Sequence, residues 1–278
     1  HIRLSTPQGH IRSYSLCGPV EARDHWAIAV KREANGRGGS TSLIDEVHEG
    51  NELPLHGGDN LFALDPQAPE HILIAGGIGL TPLYAMAQTL AQTPAAKFHL
   101  YLCSRDAEGT AFLSELQHAP WRDHVTIHHD AGNPDESLDL WPVLETPSAA
   151  HVYCCGPQGL MDSVRDMSGH WPTHHIHFES FGASQQGWAE NQAFEVLLRH
   201  SGQRITVPAD RSILESLRQA GVRVASSCES GTCGSCKTGL LAGAVEHRDM
   251  VLLPEEQAQH IMPCVSRSLH GETLELDL

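Results

Sequence analysis

Apolar positions along this chain change their period twice, and the changes divide it into three segments and a linker. In residues 1–66, short runs such as IRSYSL and WAIAVKRE alternate polar and apolar side chains, separated by the glycine-rich NGRGGS and a polar stretch leading to LPLHGG. Period-two alternation broken by glycine and proline turns predicts an antiparallel barrel or sandwich. A helix-period stripe occurs there only around Ser40 to His48. In residues 67–182, strand and helix patterns alternate. HILIAGG, FHLYLCSR, HVTIHH and HVYCCG read as strands, and Thr81 to Gln92 (with Pro82 in its first turn), Ala111 to Gln117 and Gln158 to Asp166 read as helices. That alternation implies parallel pairing in a doubly wound α/β sheet, which binds its ligands at the carboxyl ends of its strands. ASQQGWAEN, residues 183–191, is small and polar and reads as a linker. In residues 192–278, FEVLLRHSGQRITV reads as a hairpin turning at Gly202, and Asp210 to Gly221 holds a helix ended by glycine. A strand, a cysteine-rich loop, more strand and a short helix at Pro254 to Gln259 complete a small α+β unit.

Composition narrows the class. A chain of 278 residues has room for two or three domains, and 40% hydrophobic with 19% charged residues is ordinary for a soluble globular protein. No apolar run approaches the ~20 residues a membrane span needs. Thirty-four acidic against 18 basic side chains give a formal charge of -16, which opposes binding to nucleic acid or an anionic membrane and favours a partner with a basic face. The chain opens with no signal-peptide pattern and begins at His1 inside a strand-like run, so an upstream segment is expected. Of the eight cysteines, four belong to one ligand-like motif and Cys154 and Cys155 are adjacent, which fits a reducing cytoplasm.

That motif is Cys228, Cys233 and Cys236, spaced Cys-x4-Cys-x2-Cys, followed by Cys264. It is the plant-type ligand pattern of a 2Fe-2S cluster. Gly231, Gly234, Ser230 and Ser235 let the backbone wrap closely around inorganic sulfide. A zinc site would normally show paired Cys-x2-Cys units, and a disulfide framework belongs to short secreted chains. Upstream, Gly76-Gly77-Ile78-Gly79-Leu80-Thr81-Pro82 joins an apolar strand to a helix. Such a loop brings free N–H groups and a positive helix end to a pyrophosphate. An isolated match is also what a helix needs merely to pack on a strand. A second loop, Cys155-Gly156-Pro157-Gln158, ends another strand of the same sheet, and two such loops facing one cleft point to a nicotinamide dinucleotide. At a third strand end stand Ser104, Arg105 and Asp106; Asp106 would repel a 2'-phosphate and Arg105 would attract one. In the first segment, Arg12-Ser13-Tyr14-Ser15 supplies a phosphate partner, an aromatic face and hydroxyls, with Arg12 and Tyr14 on one strand face. These are the residue types a flavin site requires, although a plain barrel strand reads the same way. Arg37-Gly38-Gly39-Ser40 offers further phosphate donors, or a flexible hairpin loop.

The order RSYSL, GRGGS, GGIGLTP, YLCSRD, VYCCGPQGLM, HFESFG and CESGTCGSC resembles the phthalate dioxygenase reductase family, within the ferredoxin-NADP reductase superfamily, over essentially the whole chain. The resemblance implies an FMN-binding β-barrel, an NAD-binding α/β domain and a plant-type ferredoxin domain of β-grasp form. It implies that Arg12 and Ser13 bind the phosphate side of FMN, that Tyr14 packs on its ring and that Ser15 lies near its N5. Ala29, Lys31 and the Arg37, Gly38, Gly39, Ser40 turn would complete that site, and Phe181 would cover the ring. Gly76, Gly77, Gly79, Thr81 and Pro82, with Ser104, Arg105 and Asp106, would line the NAD cleft, and Cys155, Gly156 and Pro157 would sit near the nicotinamide. Cys228 and Cys233 would hold one iron, Cys236 and Cys264 the other. Family members begin with further residues that form the first barrel strands, so this barrel is expected to lack its N-terminal strands and to have an open edge.

The function so implied is that of an NADH-dependent reductase passing hydride equivalents to FMN, single electrons to the cluster, and electrons onward to a Rieske-type oxygenase. FMN rather than FAD is expected because the first segment has no evident adenine-binding insert. A cluster-bearing redox sensor or general electron-transfer module is the alternative. No side chain is required as a proton donor or nucleophile, because the cofactors carry the chemistry. Cys17, Cys103 and Cys154 read as small buried side chains, and His174, His175 and His177 as surface histidines, although His175 and His177 share a strand face on which metal ligation is geometrically possible. Glu246, Asp249, Glu255 and Glu256 read as a solvated acidic face or as a patch that steers a basic oxygenase surface.

Overall fold

Alternating side chains in β1 (Ile2–Ser5) and β2 (Ile11–Tyr14) build an antiparallel hairpin in which Ile2 faces Tyr14 and Ser5 faces Ile11. Arg12 and Tyr14 are the half-buried positions of β2 and Ile11 and Ser13 the exposed ones, as period two requires. The helix-period stripe around Ser40 to His48 becomes α1 (Gly39–Glu46), entered through Gly38 at a φ of 79°, where a Cβ would be strained. β3 (Leu55–Gly58) pairs with the other side of β1, giving the order β2-β1-β3. WAIAVKRE does not become a strand of this sheet: among the described residues it pairs through one bridge, Leu16 to Ile28, and Trp26 is 65% exposed. Alternation alone does not make a strand where no second ladder receives it.

In this computed structural model, residues 1–34, 36, 38–181, 191–226, 229 and 231–278 are described. They fall into two units, His1–Glu179 and Ser180–Leu278. The expected linker lies outside the described residues except for Asn191.

The larger part of the first unit grows from β4 (His71–Gly76), every residue of which is buried, as a central parallel strand demands. After a single 3-10 turn at Gly77–Gly79 comes α2 (Leu80–Gln92), which buries Leu83, Met86, Ala87 and Leu90 at helical spacing. β5 (Phe98–Ser104), α3 (Leu113–His118), β6 (Val125–His129), α4 (Trp141–Leu144), β7 (His151–Cys155), α5 (Gln158–Met167) and β8 (Ile176–Glu179) follow. The five strands are all parallel, in the order β6-β5-β4-β7-β8. Strand order therefore reverses at β4, and the crevice for a ligand opens at the carboxyl ends of β4, β5 and β7. Leu73, Leu83, Leu100, Leu102, Leu116 and Tyr153, all fully buried, form the core that fixes this switch point. Each such side chain contributes about 1.5–3 kcal/mol by leaving water.

The second unit is a five-stranded mixed sheet with a helix. β9 (Phe194–Leu198) and β10 (Arg204–Val207) form the hairpin read from the sequence, and α6 (Ile213–Gln219) starts at Ser212 with a reciprocal capping box to Glu215. Among the described residues no strand precedes the cysteine loop, where one was expected: residues 222–226 belong to no ladder. β11 (Thr238–Ala242), β12 (Val245–Glu246), α7 (Pro254–Gln257), β13 (His260–Ile261), β14 (Arg267–Ser268) and β15 (Leu274–Leu276) complete the unit. The sheet order is β10-β9-β15-β11-β13, with β15 parallel to β9, and β12 pairs separately with β14: the β-grasp arrangement. Buried Arg267 ties it together by donating to the carbonyls of Arg211, Gln192 and Pro208.

Candidate functional site

Three groups of functional side chains are built by this fold. In the first, β2 carries Arg12 against the first residue of α1: a Cβ on Gly39 would stand 2.7 Å from Arg12 Nε. The start of α1 has no side-chain cap and no acid in its first turn, so its N–H groups and positive dipole end remain available beside a guanidinium. That combination fits a phosphate. Tyr14 shares the Arg12 face; burial raises its phenol pKa, with Arg12 opposing. Ser15 is buried, Ser13 exposed, and Ala29 half-buried. Ser40 Oγ accepts from the Glu33 N–H at 3.0 Å, which folds the preceding loop onto the helix start. Lys31 is exposed and ion-paired to Glu33 at 3.7 Å. Arg37 lies outside the described residues.

The second group lies at the switch point. Its glycines divide into two kinds. A Cβ on Gly79 would stand 2.3 Å from Cys155 O, one on Gly76 2.5 Å from Pro157 Cδ, and one on Gly156 2.9 Å from Gly76 Cα. These three let the β4 and β7 loops interlock. Gly77, at a φ of 52°, has nothing within 4 Å of its Cβ position and is the one open to a ligand. Thr81 is buried and its Oγ1 donates to Ile78 O at 3.2 Å, and Pro82 is buried beside it. At the end of β5, buried Ser104 Oγ and Thr110 Oγ1 are 2.6 Å apart, and Asp106 Oδ1 accepts from the Gly109 N–H at 2.6 Å. The Asp106 carboxylate is thereby held at the loop rim, while exposed Arg105 runs past Gly132. Cys155 is buried, with its thiol pKa pushed well up by burial first and by the Glu179 charge second. It is a neutral thiol rather than a nucleophile. Cys103 is pushed up to about 11 by burial, and Cys154 higher still by the same cause. Glu179 stands opposite Cys155 in the β7–β8 register. Sequence reading quoted it inside HFESFG without a role, and only the register exposes its position. Phe181, two residues on, is 48% exposed.

The third group is the cysteine loop. Cys236 and Cys264 are both buried, with sulfurs 3.3 Å apart, among Leu214, Leu252, Met262 and Val265. Thiolates on one tetrahedral metal with bonds of about 2.3 Å lie about 3.8 Å apart, so this pair can share an iron. Gly231 and Gly234 turn the loop at φ values of 78° and 77°, and Cys233 Sγ accepts from the Ser235 N–H at 3.4 Å. Such N–H donors favour a cluster's sulfur ligands. Cys228 and Ser230 lie outside the described residues, and among the described residues no three His, Cys, Asp or Glu side chains converge on one metal position. The seven described cysteines form no disulfide. The acidic face expected nearby is not a single patch. Asp249 is buried and accepts from the N–H groups of Val251 and Leu252, Glu246 is paired to Arg248 and Glu256 to Lys237, and Glu255 stands exposed. Among the described residues no helix is long and apolar enough to cross a membrane.

Comparison with known proteins agrees with these parts. The oxidoreductase NAD-binding domain family matches residues 73–166, and the 2Fe-2S iron-sulfur cluster binding domain family matches residues 196–268. Phthalate dioxygenase reductase of Burkholderia cepacia is 52% identical over 279 residues, spanning 100% of this chain and 86% of the relative. Vanillate O-demethylase oxidoreductase of Pseudomonas putida is 39% identical, spanning 96% and 86%. A solved phthalate dioxygenase reductase, described as a modular structure for electron transfer from pyridine nucleotides to [2Fe-2S], superposes with a TM-score of 0.81 at 52% identity over 100% of this chain and 86% of its own. This chain belongs to the phthalate dioxygenase reductase family.

Proposed function

We propose that the protein is the reductase component of a two-component oxygenase system, moving electrons from NADH through FMN to a 2Fe-2S cluster and on to a Rieske-type oxygenase. The observation that carries this reading is the joining, on one chain, of a dinucleotide crevice at a strand switch point to a buried thiol pair of iron-sharing separation. When bound, FMN supplies exchange of either two electrons or one, the chemistry needed between a hydride donor and a one-electron cluster. The protein's own residues bind and orient. Arg12 and the start of α1 would hold the FMN phosphate, and by the family resemblance Tyr14 and Phe181 would pack on its ring and Ser15 would lie near N5. Gly77 admits the pyrophosphate, Asp106 turns away a 2'-phosphate, and neutral Cys155 with Gly156 and Pro157 forms a water-poor wall for the nicotinamide. By the same resemblance Cys228 and Cys233 would hold one iron of the cluster, Cys236 and Cys264 the other. The oxygenase docks over the cysteine loop, and the protein works in the reducing cytoplasm, which keeps cysteine thiols from pairing as disulfides.

Arg12→Ala removes the guanidinium beside the helix start. A charge-assisted hydrogen bond contributes about 1.5–3 kcal/mol, so FMN affinity should fall at least about tenfold, read by flavin fluorescence on dilution. Asp106→Asn should raise kcat/KM for NADPH relative to NADH about tenfold, a change of about 1.4 kcal/mol, measured with ferricyanide as acceptor. The proposal as a whole is tested by NADH-driven reduction of cytochrome c by protein loaded with FMN and cluster. Rapid turnover supports a reductase; fully loaded protein without turnover fits a redox sensor and contradicts it.

A further inference from the structure

The histidines that the electron-transfer reading leaves unused gather at one place. His71 and His151 begin β4 and β7, His174 and His175 precede β8, and His177 is its second residue, so all five lie at the amino ends of parallel strands, opposite the dinucleotide crevice. His151 is buried and its Nδ1 stands 3.0 Å from His177 Nε2. Its ring stacks on His175 at 4.5 Å and on His177 at 5.1 Å, and His174 meets His175 edge-on at 4.4 Å. His177 also stacks on fully buried Tyr153 at 4.4 Å, and His71 stacks on the same ring at 6.0 Å. The carboxylate facing the group is Asp65, its Oδ2 3.9 Å from His151 Nδ1. The Nδ1 atoms of His71 and His175 are buried without a hydrogen-bond partner. β8 is an edge strand, held by one parallel ladder to β7 from Ile176 to Glu179.

We propose that the His151–His177 pair at the centre of this cluster is an acid-sensitive latch that holds edge strand β8 on the sheet while the two rings are neutral and releases the strand when they are protonated. The His151–His177 hydrogen bond needs one ring nitrogen to donate and one to accept, so it fails when both rings are cationic. Two cations at the separation of the His151 and His177 rings repel each other, and one half-exposed carboxylate cannot compensate both. Burial, foremost, and the neighbouring histidines hold His151 below the ordinary histidine range and take His177 down to about 4, with Asp65 opposing. Unfolded histidine titrates near ~6.5, so the unfolded chain binds more protons between there and about 4. The latch's stabilisation is therefore complete above that upper value and lost as pH falls through the window. Because β8 ends at Glu179, opposite Cys155, its release also removes one wall of the crevice.

Hydrogen exchange of the loaded protein tests the latch. After correction for intrinsic rates, amides of Ile176–Glu179 should exchange at least about tenfold faster at pH 5.5 than at pH 7.5, while those of β4 stay protected. In His177→Gln the ratio between the two pH values should shrink toward one. Should that variant fail to fold, Asp65→Asn gives the second reading: losing the opposing carboxylate depresses the folded imidazoles further, so the ratio between the two pH values should grow. An unchanged β8 ratio in the wild type, or an identical ratio in wild type and variants, overturns the proposal. A rise in Tm with equimolar Zn2+ that His151→Gln abolishes also overturns it, by assigning the cluster to a metal.

Discussion

Gly79→Ala should abolish NADH oxidation and lower the Tm of the nucleotide-binding unit. The new Cβ would stand 2.3 Å from Cys155 O, 2.5 Å from Cys155 C and 2.8 Å from Gly156 N. All three are backbone atoms of the partner loop, so no rotamer change relieves the clash and the β4 and β7 loops must separate. Overpacking of a rigid contact costs about 1–3 kcal/mol or more, which corresponds to a fall of several degrees for a unit of this size, roughly 2–4 °C per kcal/mol. Gly77→Ala is the control. With a φ of 52° and open space around it, the substitution should cost about 1 kcal/mol of backbone strain and leave the fold intact, while its methyl group takes up space proposed for the dinucleotide. Differential scanning calorimetry should therefore show a large loss for Gly79→Ala and a small one for Gly77→Ala, while steady-state kinetics show a raised KM for NADH in Gly77→Ala. Equal Tm values for the two variants would contradict the division of the glycines into locking and ligand-facing positions.

Cys264→Ser has the second large effect. Cys264 is buried beside Cys236 among apolar side chains, so the substitution removes a proposed soft ligand and leaves a hydroxyl against the Cys236 sulfur and the side chains of Leu252, Met262 and Val265. Metal binding is coupled to folding in such sites, and the ferredoxin unit should lose both its iron and part of its protection from proteolysis. Reduction of cytochrome c should fall at least about a hundredfold, the scale expected when a redox centre is lost rather than perturbed by ~1 kcal/mol. Iron analysis and limited proteolysis read the two losses separately.

The cysteine spacing and the alternation of strand and helix were legible because both are local. Ligands within one loop must be neighbours in sequence, and β4, α2 and β5 show their burial periods without reference to anything distant. Legibility stopped where a residue's role depends on what comes near it from elsewhere. Gly76, Gly77 and Gly79 look equivalent in sequence, yet only the approach of the Cys155 loop from β7 separates them. Residues 222–226 and WAIAVKRE carry strand composition but receive no full ladder, and ladders are made by partners. The four acids near the cysteine loop looked like one charged face. Asp249 instead turns inward to cap the backbone at Val251 and Leu252, and Glu246 and Glu256 are consumed by Arg248 and Lys237. The glycine run before α1 gained meaning in the structure, since a helix start beside Arg12 is a better phosphate site than a flexible turn.

Electron flow in one direction, from NADH through the flavin site to the cysteine loop, is tested most directly by anaerobic stopped-flow mixing of NADH with FMN-loaded wild type and Cys233→Ser. Flavin bleaching at about the wild-type rate, together with complete loss of cytochrome c reduction in Cys233→Ser, is the expected result. Loss of flavin bleaching in that variant, or persistence of cytochrome c reduction at the wild-type rate, would contradict it.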